Sequence, residues 1–132
     1  YITLAMKLAQ NNVETGEAYN FGPSANQNRT VLDLLIEMKK HFKTAEWEIP
    51  LEKKKGFYEA GLLKLNCDKA LVELEWMPTL NFEETVLMTI DWYNNFYFKN
   101  INNMNKFTIN QIEFYLSIAK KQNLKWLQNI RN

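Results

Sequence analysis

Gly16-Glu17-Ala18-Tyr19-Asn20-Phe21-Gly22-Pro23 is the stretch whose reading decides the fold class. Its residues alternate and then stop at Gly-Pro, which is the pattern of a short strand opening into a loop. The residues before it, and most of the chain after it, carry helical spacing instead. A second alternating segment, Glu46-Trp47-Glu48-Ile49-Pro50, reads as another short strand closed by proline, and Leu62 to Asn66 has the look of a third extended piece. The expectation is therefore a helix-dominated α/β unit with two or three short strands.

Outward from that stretch, helices are signalled by apolar periodicity and by capping residues. Ile2, Leu4, Ala5, Leu8 and Ala9 fall on one helical face with no Ser, Thr, Asp or Asn before them, so the chain reads as starting inside a helix that Asn11 and Asn12 end. After the polar loop 24–29, Thr30 stands as an N-cap with Asp33 three residues on, a capping-box pair. Leu32, Leu35, Ile36 and Met38 then line a helix ending near Phe42. Residues 68–75 read as a short helix stopped by Trp76-Met77-Pro78. Asn81 caps a strong amphipathic helix with Phe82, Val86, Ile90, Tyr93 and Tyr97 along its stripe. Beyond the polar link 100–105, Thr108 is expected to cap a helix bearing Ile109, Ile112, Tyr115, Leu116 and Ala119, with a short helix over 124–130.

Composition narrows the function classes. With 132 residues and 46% hydrophobic side chains, the chain holds about one domain's worth of core. Sixteen basic and fifteen acidic residues leave a net charge of +1, which argues for neither nucleic acid nor membrane as a partner. Cys67 is the sole cysteine, so no internal disulfide or cysteine metal cluster can form, and a reducing cytoplasmic setting fits. His41 is the sole histidine; a His-rich metal site is excluded and no metal is expected. No apolar run approaches the roughly 20 residues of a membrane helix, and the first ten residues make a poor signal peptide.

Catalytic signatures are missing. The four glycines, at 16, 22, 56 and 61, form no Gly-x-Gly-x-x-Gly turn to seat a dinucleotide pyrophosphate. No Tyr-x-x-x-Lys pair is present; Tyr97, not lysine, stands four residues after Tyr93. Without a nicotinamide seat or an acid/base pair, no redox mechanism can be drawn on this chain, and no catalytic residue is assigned to it.

Several segments in order resemble the C-terminal part of nucleotide-sugar 4,6-dehydratases of the extended short-chain dehydrogenase/reductase family. These are residues 1–8, the Gly-Glu-Ala-Tyr-Asn-Phe-Gly-Pro of 16–23, and Asn28-Arg29-Thr30-Val31. Tyr58-Glu59-Ala60, Leu63-Lys64-Leu65, Asp68-Lys69-Ala70, Leu74-Glu75-Trp76-Met77-Pro78 and Thr89-Ile90-Asp91-Trp92-Tyr93 come next, with Phe107-Thr108 and Gln111-Ile112 in the tail. The Asp-Lys-Ala, Leu-x-Trp-x-Pro and Trp-Tyr elements are general to the family. Phe-Gly-Pro with Arg-Thr-Val, Glu-Ala and Leu-Lys-Leu points to the CDP-glucose branch, the alternative being a related epimerase or dehydratase with another base. A noncatalytic helical interaction module is the reading from a different class.

The resemblance implies a two-part enzyme, a lyase in which an N-terminal Rossmann half holds NAD and the catalytic tyrosine, lysine and acid. A C-terminal half closes over the nucleotide-sugar. CDP-glucose would become CDP-4-keto-6-deoxyglucose, a precursor in surface polysaccharide biosynthesis, by oxidation at C4, loss of water across C5 and C6, and hydride return to C6. On this reading residues 1–98 are the substrate-binding domain and residues 99–132 a helical C-terminal extension. The partners are CDP-glucose and the Rossmann half, in a homo-oligomer; the chain alone is expected to bind no cofactor and to be inactive.

The resemblance also nominates Arg29, Thr30, Glu59 and Asn20 as substrate-binding residues. A guanidinium beside a helix start can anchor a diphosphate or ribose, and a carboxylate at Glu59 can accept from two ribose hydroxyls. Each has a simpler role: a cap for Thr30, solvated charges for Arg29 and Glu59, a backbone bond for Asn20. Lys64 reads as solvated, Cys67 as unreactive, His41 as a helix C-terminal cation, and Trp76, Trp92, Phe82 and Tyr93 as packing aromatics. The chain departs from the family's pattern at Tyr58, where histidine is usual, and at Asn66, where aspartate is common.

Overall fold

Among the described residues six helical segments succeed one another: α1 (Ile2–Ala9), α2 (Val31–His41), α3 (Asp68–Glu73), α4 (Phe82–Tyr97), α5 (Met104–Lys121) and a 3-10 helix (Lys125–Ile130). They are seen in a computed structural model that describes residues 1–13, 15–24, 27–48, 65–99 and 102–130. Among the described residues no strand occurs, so the expected α/β class with two or three strands is not what this chain shows.

The reason is visible at residues 17–21. Their alternation is real, but the partners are side chains of α3 and the turn after it. Glu17 pairs with Lys69, the Tyr19 hydroxyl donates to Glu73 Oε2 at 2.6 Å, and the Phe21 ring meets Trp76 edge-on at 5.0 Å. Every second residue thus meets successive turns of a helix rather than a neighbouring strand. On the other side, the Asn20 amide donates to the Asn66 carbonyl at 3.2 Å, occupying an acceptor that a ladder would use. In the second alternating segment the ammonium of Lys39 lies 5.4 Å from the Trp47 ring centroid, which ties Trp47 back to α2. Residues 49–50 and 62–64, which complete the other two expected strands, lie outside the described residues.

The helix starts agree with their caps. Thr30 and Asn81 both close full capping boxes, with Asp33 and Glu84 reaching back to the N-cap amides. Asn103, not Thr108, caps α5, its side chain accepting from the Lys106 amide. Thr108 lies a turn inside, where its hydroxyl donates to the Met104 carbonyl and accepts from Trp92 Nε1 at 2.9 Å. Left-handed residues end three of the helices: Asn11 after α1, Glu75 after α3 and Asn123 after α5. After α3 the Trp76 amide reaches back to the Ala70 carbonyl, so the chain turns one residue before the expected Trp-Met-Pro stop.

α4 is the element on which the others pack. α2 lies against it in the same direction, because Arg29 meets Glu83 at one end while the His41 carbonyl accepts from Asn94 and Phe42 packs on Phe98 at the other. α5 crosses its opposite side, joined by the Trp92–Thr108 bond and by Gln111 donating to the Met88 carbonyl. The 3-10 helix folds under α5, where Ala119, Leu124 and Trp126 form a buried cluster with Trp76, Tyr115, Leu116 and Leu127 around it. Elsewhere the buried apolar residues are Ala70, Leu74, Val86 and Ile90. Of the expected α4 stripe, Val86 and Ile90 are buried, whereas Tyr93 and Tyr97 are exposed and stack on each other. On α2 the buried residue is Glu37, answered by Lys40 and His41, while Leu32 and Ile36 are open to solvent. No helix among the described residues is long and apolar enough to cross a membrane.

Candidate functional site

A cation is held where the starts of α2 and α4 meet. Arg29 precedes the α2 cap, and its Nη2 donates to Glu83 Oε1 at 2.9 Å. The same guanidinium sits over the Phe82 ring, 5.0 Å from its centroid, a cation–π contact. Phe82 and Glu83 are the first two residues of α4, so the Asn81 capping box that begins this helix also positions Arg29's partners. The side chains of Arg29 and Glu83 remain 46% and 51% exposed, which leaves the other guanidinium donors accessible.

Thr30 is committed to its cap. Its hydroxyl accepts from the Asp33 amide at 3.1 Å, and both its amide and its hydroxyl donate to Asp33 Oδ2 at 2.8 Å. The backbone and side-chain hydrogen bonds from Thr30 hold the Asp33 carboxyl below its usual range, with a smaller contribution from the Arg29 charge. A carboxylate therefore already lies at the α2 start, where orphan amides would attract an anion.

Asn20 stands apart from these residues. Its amide bonds the carbonyl of Asn66, a residue that lines a cleft of about 460 Å³ between residues 22–24, 65–68 and 76–78; Asn20 itself does not line it. Gly22, Leu65, Leu71, Trp76 and Met77 give that cleft apolar walls, and Ser24, Asn66, Cys67 and Asp68 give it polar ones. A Cβ at Gly22 would meet Cys67 Sγ at 3.5 Å, an ordinary van der Waals contact. Arg29 and Thr30 do not line the cleft. Glu59 and Lys64 lie outside the described residues.

The clasp beside the cleft shifts a tyrosine. The hydrogen bond from Tyr19 to Glu73, then desolvation and the nearby carboxylates, pushes its phenol up to about 12. Lys69 lies 4.8 Å from the Tyr19 ring centroid while bonding Glu17, whose carboxyl it holds below the usual range. These four residues answer one another and present no free acid or base toward the cleft. Among the described residues no group of His, Cys, Asp or Glu is arranged to hold a metal.

Two features of this geometry escape the sequence reading. Glu83 gives only the signal of an acid in a helix's first turn, and nothing local links it to a residue 54 positions earlier. The cleft's Ser24, Asp68 and Met77 come from three separated segments that only the tertiary fold brings together.

No family model matches the chain, and no solved structure matches it. Among curated proteins, the CDP-glucose 4,6-dehydratase of Salmonella typhimurium is 31% identical to it over 94 residues. That match covers 70% of this chain and 26% of the relative, so the chain spans about a quarter of that enzyme's length. The similarity supports a distant relationship between the two.

Proposed function

We propose that these 132 residues form the nucleotide-sugar-binding part of an enzyme akin to CDP-glucose 4,6-dehydratase, a cytoplasmic lyase of surface polysaccharide biosynthesis. The observation that carries this reading is the 31% identity over 94 residues to the Salmonella enzyme. Arg29 supports it as a guanidinium about half exposed at the start of α2, a forked donor suited to a diphosphate. The cleft lined by Ser24, Asn66 and Asp68 offers a second polar and apolar surface for the nucleoside or sugar.

The residues present do not fit NAD. No strand–glycine turn–helix unit occurs among the described residues, and the four glycines of the sequence are too far apart to make one. No step through that cofactor is assigned to this chain, and the redox chemistry belongs to the remainder of such an enzyme.

A heteronuclear NMR titration with CDP tests the assignment. Resonances of Arg29, Thr30 and Glu59 are expected to shift with a Kd of about a millimolar or weaker, and UDP, GDP and dTDP to bind less well. A dispersed spectrum that ignores all four nucleotides overturns the reading and favours a helical interaction module, for which the exposed Tyr93 and Tyr97 of α4 would be the first surface to examine.

A further inference from the structure

Arg29 is held in a way that leaves it half ready for an anion. The guanidinium carbon lies 5.0 Å from the Phe82 ring centroid, so the ring's face holds the charge beside the start of α4. Glu83 takes one of the guanidinium donors, through Nη2 at 2.9 Å. A phosphate engages arginine best through two adjacent donors in a fork, so Glu83 occupies part of the valence that such a ligand needs. Its negative charge also lies next to where a diphosphate would sit, and both ends of the pair are about half exposed and free to move.

We propose that Glu83 is an internal competitor for Arg29: it holds the guanidinium in the unliganded chain and must release it when a nucleoside diphosphate binds. Phe82 stays under the guanidinium in both states and acts as the pivot. This rests on the nucleotide-binding reading of Arg29 and adds to it a residue that sets affinity without touching the nucleotide. Glu83 is a positioning residue, and its removal strengthens binding, the opposite of what loss of a ligand contact does.

An exposed ion pair of this kind contributes little, which bounds the effect at about two- to five-fold in Kd. The experiment is a CDP titration, monitored by NMR, of the full chain and of its E83Q, R29A and R29A/E83Q variants. Pyrophosphate serves as a second probe to separate the diphosphate from the base. E83Q is expected to bind CDP and pyrophosphate about two- to five-fold more tightly, with the gain absent in the R29A background. In the unsubstituted chain the Glu83 carboxyl carbon should shift in step with Arg29 as CDP is added, a readout independent of any variant's folding. If R29A weakens CDP binding but E83Q does not strengthen it, or if the Glu83 carboxyl signal stays still, the competitor role is wrong while the nucleotide reading stands. If R29A leaves CDP binding unchanged, or CDP does not bind, the nucleotide reading of Arg29 falls and the competitor role falls with it.

Discussion

Replacing Trp126 by phenylalanine is expected to be far milder than replacing it by alanine, although both remove the same indole. Trp126 is 8% exposed and sits in the cluster of Ala119 and Leu124, its ring stacked on Tyr115 at 5.9 Å. Its Nε1 is buried and has no hydrogen-bond partner among the described residues. Truncation to alanine removes an aromatic side chain from a closed cluster, and such losses cost about 3–5 kcal/mol. Phenylalanine keeps most of the ring's contact area, giving up about 1 kcal/mol of burial. It also removes a buried donor that has no partner among the described residues, whose desolvation costs about 1–3 kcal/mol. These two terms offset each other, so W126F should fall within about 1 kcal/mol of the unsubstituted chain. Urea unfolding monitored by circular dichroism measures both variants on one scale. A W126F chain as destabilised as W126A would refute the reasoning, because it would show that Nε1 donates to a partner. A W126A chain that loses less than about 1 kcal/mol would show that the 3-10 helix is not packed as described.

The clasp and the caps give two further expected outcomes. The raised Tyr19 phenol should titrate near 12 in a tyrosinate absorbance titration, a step that Tyr19→Phe removes. Because its folded value lies above the unfolded one, its contribution to stability is complete below about pH 10 and is lost as pH rises through 12. Tyr19→Phe should flatten that alkaline limb of the stability profile, and an unchanged limb would place the loss elsewhere. Asn81→Ala removes the side-chain half of a reciprocal pair, the 2.8 Å bond that Asn81 Oδ1 accepts from the Glu84 amide, while keeping the backbone amide that donates to Glu84 Oε2 at 2.9 Å, and should cost about 1 kcal/mol in urea unfolding. Asn81→Gly should cost only a few tenths of a kcal/mol, and equal losses for the two variants would deny the cap its role.

What the sequence shows of this fold is local, and what it conceals is tertiary. The capping boxes at Thr30 and Asn81 and the helix-ending asparagines after Ala9 are written in residues a few positions apart, and the helices begin and end where those residues stand. Thr108 misleads because a hydroxyl that suits a cap suits an interior position equally well when it can bond the carbonyl four residues back. The alternation at 17–21 misleads more deeply. A period of two says only that successive side chains point to opposite sides, and a single row of side chains can be met by a helix as well as by a strand. Here Glu17, Tyr19 and Phe21 find Lys69, Glu73 and Trp76, residues spaced by about one helical turn. On α2 the apolar spacing is helical as expected, but the face that packs on α4 buries Glu37 and leaves Leu32 and Ile36 open. Among the candidate site residues, the sequence suffices to place Thr30 at its cap, whereas the partner of Arg29 lies across the fold.

α4 explains why these separate features bear on one another. Its first turn supplies the ring and the carboxylate that hold Arg29, and its middle carries Val86 and Ile90 into the core. Its last turns bind α2 through Asn94 and Phe98, while Met88 and Trp92 receive α5. A side chain at residue 29 can face the same two residues of α4 only if the helix between them stays in register, and that register is fixed at both ends of the α2–α4 pair. Loosening the α4 start at Asn81 would therefore disturb Arg29 without touching it, through Phe82 and Glu83. The sign of that disturbance distinguishes two roles for the helix. If α4 chiefly orients the guanidinium, Asn81→Ala should weaken CDP binding, because the Phe82 platform frays. If its main action is the competition from Glu83, the same change should strengthen binding. The 5.0 Å cation–π contact and the 2.9 Å ion pair both originate from the first turn; in the proposed competition the ring holds the guanidinium in either state and the carboxylate in only one. Orientation should therefore dominate when the whole turn frays, and Asn81→Ala should weaken CDP binding even though Glu83→Gln strengthens it.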